Sequence, residues 1–428
     1  MWVYICPALP TNIYVQSLDL EFTVTTTPNT FELDPKSSGL VNKFVVYDSI
    51  IPDRMGDMDV SFYPAAEFIY PDESAFFAEG VGMYDEMELA FSFGNEEIGY
   101  YENTFAWDGL QVVDAQITNH ISGQAFFALK SVLEKYDYPK KKIYSGPLTN
   151  TLNLIARDIK VNSYTNQTNP VKTSSNIINT GLWTRAGQTA KDFLLHHADY
   201  AYSLDNSPVF TFVNMLGELY FMTANDLIRQ SPINPNNPYT LITKDNSASV
   251  LFQSPEIIQS YVIGVMASEA NRPNYNKLVS SFDASNKISD SVSETIRKFL
   301  PKAQGKTSLP NSAISEPTSM PYFGFNADDS SRLYEGWLNN QFRSSAFTNK
   351  LVMIVKYNPE IAAGRNILVS LPSAKEDLDE SPEYSGTYTI LNSKLIHEKG
   401  LPPVNMLTVG KPRINYDRNN TFAGSFVS

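Results

Sequence analysis

The sequence predicts a β-rich α+β protein, and three observations carry that reading. Aromatic side chains are abundant, with 25 Phe, 24 Tyr and 4 Trp in 428 residues. Such side chains pack well on a pleated surface. Short runs of period-two alternation recur along the chain, separated by turn residues drawn from 26 prolines and many Asn, Ser and Gly. Helical periodicity is concentrated in one middle segment. The length is more than one ordinary core can use, so two to four domains are expected.

The first third reads as extended. Ser17–Thr25 places Leu18, Leu20, Phe22 and Val24 on one face. Lys43–Ile51, Met87–Phe93 and Leu110–Ile117 have the same character, and turn signals at Pro28-Asn29, Gly56-Asp57 and Gly94-Asn95 separate them. Such spacing suggests a small barrel or sandwich. Gln124–Tyr136 is then predicted as an amphipathic helix, Pro147–Lys160 as a second with Pro147 in its first turn, and Gln188–Tyr202 as a third. Thr189 with Asp192 three residues on makes a capping-box-like start for the third. Val209–Phe212 and Glu218–Met222 form a hairpin about Leu216-Gly217. From Arg229 to Tyr322 the chain is Pro/Asn/Ser-rich, and Ser268–Pro317 reads as an extended arm with a short helix near Ser293–Leu300. Asp328–Phe342 is a further helix, and Lys350–Lys356, Asn366–Leu371, Gly386–Ile390 and Met406–Val409 are strands.

Charge and chemistry exclude several classes. The net charge is −13, whereas a nucleic-acid-binding face needs Lys and Arg to meet phosphate. Lys140-Lys141-Lys142 reads as a solvated turn between helix and strand. With one cysteine, Cys6, there is no intramolecular disulfide. No zinc site is expected from Cys6 and four histidines, His120, His196, His197 and His397. The opening MWVYICPALP lacks a positive n-region and an apolar core, so no signal peptide is expected, and the apolar run Tyr261–Ala267 is too short for a membrane span. None of the common nucleophile-elbow, zincin, phosphate-loop or dinucleotide motifs occurs. His196 and His197 point about 100° apart on a helix and cannot share one ligand. Asp192 and His196 share a face, as a ligand pair or acid–base dyad would, but also as an ordinary surface pair beside Leu194-Leu195 does; the latter is the reading taken. The acidic clusters at Asp72-Glu73, Asp85-Glu86, Glu96-Glu97 and Glu376–Glu380 fall in expected loops, unlike two carboxyls facing across a cleft. No catalytic residue, cofactor or metal is expected.

Two segments resemble the hub proteins of contractile phage tail baseplates, a family related to late-control and type VI spike hub domains. Thr189–Thr223 orders a capped helix, a turn and a hairpin; Leu368–Ile390 orders VSLPS, an acidic loop and Ser-Gly-x-Tyr-x-Ile. The resemblance implies two tube-like β-barrel domains with an intervening α/β domain and a long extended arm. On it, residues 1–118 form the first barrel and 119–208 the helical α/β domain; 209–228 begin the second barrel. Residues 229–322 continue the α/β domain and arm, 323–414 complete the second barrel, and 415–428 are a tail. Three chains would then present six barrels as a pseudo-sixfold ring, joining a sixfold tail tube to a trimeric central spike. The implied partners are two further copies of the chain, tail tube protein, spike protein and other baseplate proteins. DNA would pass the channel without specific binding, no membrane is involved, and the protein would assemble in the host cytoplasm into the virion tail. The structural and interface residues assigned are Thr189, Asp192, Phe210, Phe212, Gly217, Tyr220, Phe221, Pro372, Ser385, Gly386, Tyr388 and Ile390. Alternative readings are a carbohydrate- or receptor-binding tail protein, motivated by the aromatics and acidic loops, and a tail-tube initiator or secretion-spike hub component.

Overall fold

The computed structural model describes residues 18–25, 30–33, 43–51, 53–55, 58–60, 62–70, 86–95, 99–103, 112–118, 122–161, 170–177, 180–205, 207–241, 256–263, 276–283, 288–295, 340, 343, 346–347, 349–358, 360–371, 385–398 and 404–411. Among them strands dominate and helices are few, so the chain is α+β and β-rich.

Ten strands form one sheet. In order of pairing they are Asn366–Ser370, Tyr239–Leu241, Glu256–Ile263, Asn349–Lys356, Val404–Lys411, Gly386–Glu398, Lys43–Ser49, Ala65–Tyr70, Ser122–Lys130 and Val112–Thr118, and Asn366–Ser370 pairs in addition with Gly386–Glu398. Strands from the start and the end of the chain are therefore neighbours in a single sheet. The join is made by Gly386–Glu398, which at 13 residues is roughly 40 Å long. Its first part pairs with Asn366–Ser370, from Val369↔Gly386 to Asn366↔Thr389. Its second part pairs with Lys43–Ser49, from Asn392↔Ser49 to Glu398↔Lys43. The register against Val404–Lys411 shifts between Ile390 and Asn392, where the strand changes partner. A bulge bends a strand and raises its twist, which lets one strand serve two surfaces.

A separate four-stranded sheet pairs Thr30–Leu33, Leu18–Thr25, Glu86–Asn95 and Gly99–Asn103 in that order. The middle of the chain contributes a ribbon of Lys140–Pro147 against Thr180–Gln188, and a three-stranded sheet of Val171–Thr173, Leu219–Thr223 and Val209–Val213. The predicted hairpin is thus present, but its outer partner is the parallel strand Val171–Thr173 rather than a strand of the large sheet. Its ten strand residues are all buried. Alternation sends Val209, Val213, Leu219 and Phe221 into the helical core with Leu152, Ile155 and Phe193. It sends Phe210, Phe212, Tyr220 and Met222 into a second core with Phe347 and Leu391. A strand pair apolar on both faces is the signature of a central plank, and this one separates two cores.

The helices Leu148–Asp158 and Ala190–Asp199 bury Leu148, Leu152, Ile155 and Phe193, Leu194 respectively. Pro147 stands at the N-cap of the first, one residue before its expected place. Thr189 caps the second by accepting from the Asp192 amide at 3.0 Å, as its spacing predicted.

Three expectations are corrected. Gln124–Tyr136 is not one helix: Ser122–Lys130 is a strand, held between Ala65–Tyr70 and Val112–Thr118, and only Val132–Lys135 is helical. Pairing on both edges overrides a helical period that its own residues suggested. Lys140-Lys141-Lys142 lies inside a strand rather than a turn. The arm contains a hairpin, Asn276–Asp283 with Ile288–Thr295, so Ser293–Thr295 is extended rather than helical. Its Ser-rich alternation suits a two-sided polar ribbon. Cys6, His120, Pro372, the Glu376–Glu380 cluster, the tail from Asn415 and the Asp328–Phe342 helix apart from Asn340 lie outside the described residues.

Candidate functional site

Among the described residues, buried polar groups gather at the junction where hairpin, first β strands and last β strands meet. Three residue groups build it.

The hairpin turn supplies the first. Asn214, Gly217 and Glu218 close a tight loop: the Gly217 amide donates to the Asn214 carbonyl at 2.8 Å, with Gly217 at φ +73°. Asn214 Oδ1 accepts from the Leu216 and Glu218 amides. Its Nδ2 donates to Glu218 Oε2 at 2.7 Å, and Tyr220 Oη donates to the same oxygen at 2.9 Å. Arg365 meets Glu218 with both Nε and Nη2, at 3.3 and 3.0 Å. Burial alone would raise the Glu218 carboxyl, but the bonded guanidinium with Asn214 and Tyr220 brings it below its ordinary range. The pair fastens the hairpin to the chain just before Asn366–Ser370.

The second group is the segment Gly364-Arg365-Asn366. Asn366 Nδ2 lies 2.9, 2.9 and 2.8 Å from the carbonyls of Leu227, Ile228 and Gln230, which share its two N–H groups, and so closes the end of helix Ala224–Arg229. The Leu227 carbonyl also accepts from the Gln230 amide at 3.4 Å, and the last carbonyls of a helix otherwise lack partners along it. The third is Asp48, in Lys43–Ser49. Its Oδ2 accepts from the amides of Met215 at 3.1 Å and Ala363 at 2.8 Å.

A comparable node lies inside the helical part. Asp137 accepts from the amides of Ala190 and Lys191 at the start of helix Ala190–Asp199, from Arg185 Nη2 at 3.0 Å and from Tyr63 Oη at 2.9 Å. A carboxylate there meets the positive helix end as well as the guanidinium.

The assigned residues fall as follows. Phe210, Phe212 and Tyr220 face the junction, whereas Phe221 faces the helical core. Tyr388 and Ile390 belong to the core enclosed by the last strands, with Leu351, Met353 and Leu407. Ser385 Oγ both accepts from the Leu371 amide and donates to the Leu371 carbonyl, at 2.9 and 3.1 Å. Gly386 has φ +126°, a conformation that side-chain-bearing residues rarely adopt. Gly386→Val is therefore expected to cost about 1–3 kcal/mol of stability, read as a lowered urea midpoint; a midpoint equal to the wild type's would show that the bend relaxes.

The histidine pair does not converge on a ligand. His197 lies edge-on to Trp183 and Phe193, with centroids at 4.9 and 4.2 Å, and His196 lies against Tyr200 at 5.1 Å. Burial, with His196 beside it, lowers His197 to about 4. Among the described residues no group of three or more His, Cys, Asp and Glu is arranged to hold a metal ion, and no helix is long and apolar enough to cross a membrane.

Sequence reasoning missed Asp48, Asp137, Glu218, Arg365 and Asn366. Asp48 carried a readable signal, an acid inside the apolar strand Lys43–Ser49, and so did Glu218, directly before the apolar strand Leu219–Thr223. Asp137, Arg365 and Asn366 carried none, because their partners are remote in sequence.

No protein-family model matches the chain, and no curated protein matches it in sequence. Among solved structures it is similar to the 43 kDa tail protein of prophage MuSo2 from Shewanella oneidensis, with TM-score 0.44 and 11% identity over 92% of this chain and 97% of that one. It is similar to the tail protein from Neisseria meningitidis MC58, with TM-score 0.47 and 9% identity over 92% of this chain and 97% of that one. A chain of the Francisella PdpA–VgrG complex gives TM-score 0.44 and 11% identity over 95% of this chain and 60% of that one.

Proposed function

We propose that the chain is a structural, non-enzymatic subunit of a phage tail baseplate hub. Three copies form a pseudo-sixfold ring that joins the hexameric tail tube to a trimeric spike and lines the channel through which DNA passes. The observation that carries this reading is the way the last strands are joined to the first. Asn366–Ser370 pairs with Tyr239–Leu241 on one side and with the start of Gly386–Glu398 on the other. Glu256–Ile263, Asn349–Lys356 and Val404–Lys411 carry the pairing round between those two neighbours. In this reading the circuit is the second barrel, filled by Tyr239, Leu351, Met353, Val355, Ile367, Tyr388, Ile390, Leu407 and Val409.

The remainder of Gly386–Glu398 then seats Lys43–Ser49, so the two β units lie side by side through backbone hydrogen bonds. A ring of barrels needs this lateral joining, and building it into one chain halves the number of seams that association must supply. Strand edges that invite open-ended aggregation are used up in such a ring. The net charge of −13 suits a wall that DNA phosphates pass without sticking. Tail tube, spike and further baseplate proteins are the partners this role requires.

Light scattering on the purified full chain, with negative-stain imaging, tests the reading. The expected result is a particle of three 47.9 kDa chains seen as rings with a central hole. A chain that stays monomeric at high concentration and forms no ring, alone or with its tube protein, would overturn it.

A further inference from the structure

Asp48 stands where three parts of the chain meet. Its strand belongs to the first β unit, Met215 lies in the hairpin turn, and Ala363 precedes Asn366–Ser370. One carboxyl oxygen, Oδ2, takes the amides of both Met215 and Ala363, while the residue is 1% exposed. The other oxygen, Oδ1, is buried without a hydrogen-bond partner. Ser393, 0% exposed, sits directly across on Gly386–Glu398 in the pair Ser393↔Asp48, and its Oγ is likewise buried without a partner. Side chains directly opposite in an antiparallel pair have Cβ atoms about 5 Å apart, so a turn about χ1 brings the hydroxyl to the carboxyl.

The charged surroundings favour a neutral acid. From the hairpin, Glu218 faces Asp48 with its negative charge, and Tyr220 Oη is committed to Glu218. From the segment after Ala363, Arg365 is engaged on Glu218 at two points, and Lys172 is 3.9 Å from Glu218. On the sheet itself, Lys394 lies over the Tyr47 ring and Glu67 accepts from Tyr47 Oη. Tyr47 precedes Asp48 in the strand and points to the opposite face. Among the described residues no Lys, Arg or His forms an ion pair with Asp48.

We propose that Asp48 is a protonated latch: its neutral carboxyl donates Oδ1–H to Ser393 Oγ while Oδ2 receives the two amides, and loss of that proton loosens the junction of hairpin and both β units. Burial, against the lowering pull of the Ala363 and Met215 amides, lifts the carboxyl to about 7. An unfolded aspartate titrates near about 3.9. A folded value above the unfolded one means that the latch contributes fully below the unfolded value. Its contribution shrinks as pH rises through that interval and is gone above about 7. The latch is independent of the hub reading, since it concerns contacts within one chain.

The test is a pair of pH profiles on the full chain with an infrared readout. The wild-type thermal midpoint is expected to fall by several degrees from pH 5 to pH 8.5. Asp48→Asn keeps an acceptor for the two amides and offers Nδ2–H to Ser393, so its profile should be flatter over that range. Ser393→Ala removes the acceptor of the acid proton at pH 5 and a hydroxyl able to donate to the ionised carboxyl at pH 8.5, so it should lower the midpoint at pH 5 and alter the hydrogen bonding of the protonated acid. In the wild type, a protonated carboxyl C=O band should be present at pH 5, fade near neutrality and shift in Ser393→Ala. Parallel profiles for wild type and Asp48→Asn, a protonated band that does not move in Ser393→Ala, or the absence of a protonated band at pH 5 would each overturn the proposal. Should Asp48→Asn fail to fold, the serine variant and the wild-type band still decide it.

Discussion

Asp137→Ala is expected to destabilise the helical part by about 3–5 kcal/mol, because it removes one partner of a buried ion pair. Arg185 is 0% exposed and Asp137 has 2% of its side chain exposed, so neither charge is compensated by water. After the change the guanidinium keeps the carbonyls of Gln188 and Tyr138 but loses its only carboxylate partner among the described residues. At the same time the amides of Ala190 and Lys191 lose their acceptor at the helix start, leaving Thr189 as the remaining cap. Loss of a cap alone costs about 1 kcal/mol, so the charge dominates the effect. Asp137→Asn, which keeps acceptors but not the charge, should cost less. Urea unfolding followed by tryptophan fluorescence reads this directly, since Trp183 sits on the neighbouring strand. A loss below about 1 kcal/mol for the alanine variant would mean that Arg185 escapes to solvent, and the node would then be no anchor.

Gly364→Ala is the second large effect, expected at about 2–5 kcal/mol from left-handed backbone strain plus overpacking. Gly364 has φ +82°, and a Cβ there would lie 2.4 Å from Phe212 Cζ and 2.8 Å from Phe212 Cε2. The ring has no room to yield, because it is stacked on Tyr220 with centroids 4.6 Å apart and planes at 10°. The double variant with Phe212→Leu separates the two causes. It should recover part of the loss, leaving the backbone strain, so the two changes are non-additive. Strict additivity of the two single changes would show that the contact with Phe212 contributes nothing.

These two sites differ in how visible they are along the chain. The cap at Thr189 was legible because an N-cap and its N3 residue are three positions apart. The acceptor that outweighs it, Asp137, lies 53 residues from Ala190. Gly386 could be read from a local Ser-Gly bend, whereas Gly364 owes its necessity to an aromatic ring on a hairpin remote in sequence. The apolar hairpin was likewise recognisable as two buried strands, but not that it would divide two cores. The misread stretch Gln124–Lys130 shows the same limit from the other side, since its strand state depends on neighbours at residues 65–70 and 112–118.

By itself, then, the sequence determined the β-rich class, the two longer middle helices with the Thr189 cap, the hairpin and most of the later strands. Each of these rests on periodicity or on hydrogen bonds between residues a few positions apart. Only the tertiary structure decided that Gly386–Glu398 would carry strands from both ends of the chain, and that Asp48, Glu218 and Arg365 would meet at one buried junction. The physical reason is that strand pairing and ion pairing select partners by proximity in the folded chain. A strand's own alternation states which face it buries and is silent about which edge it joins.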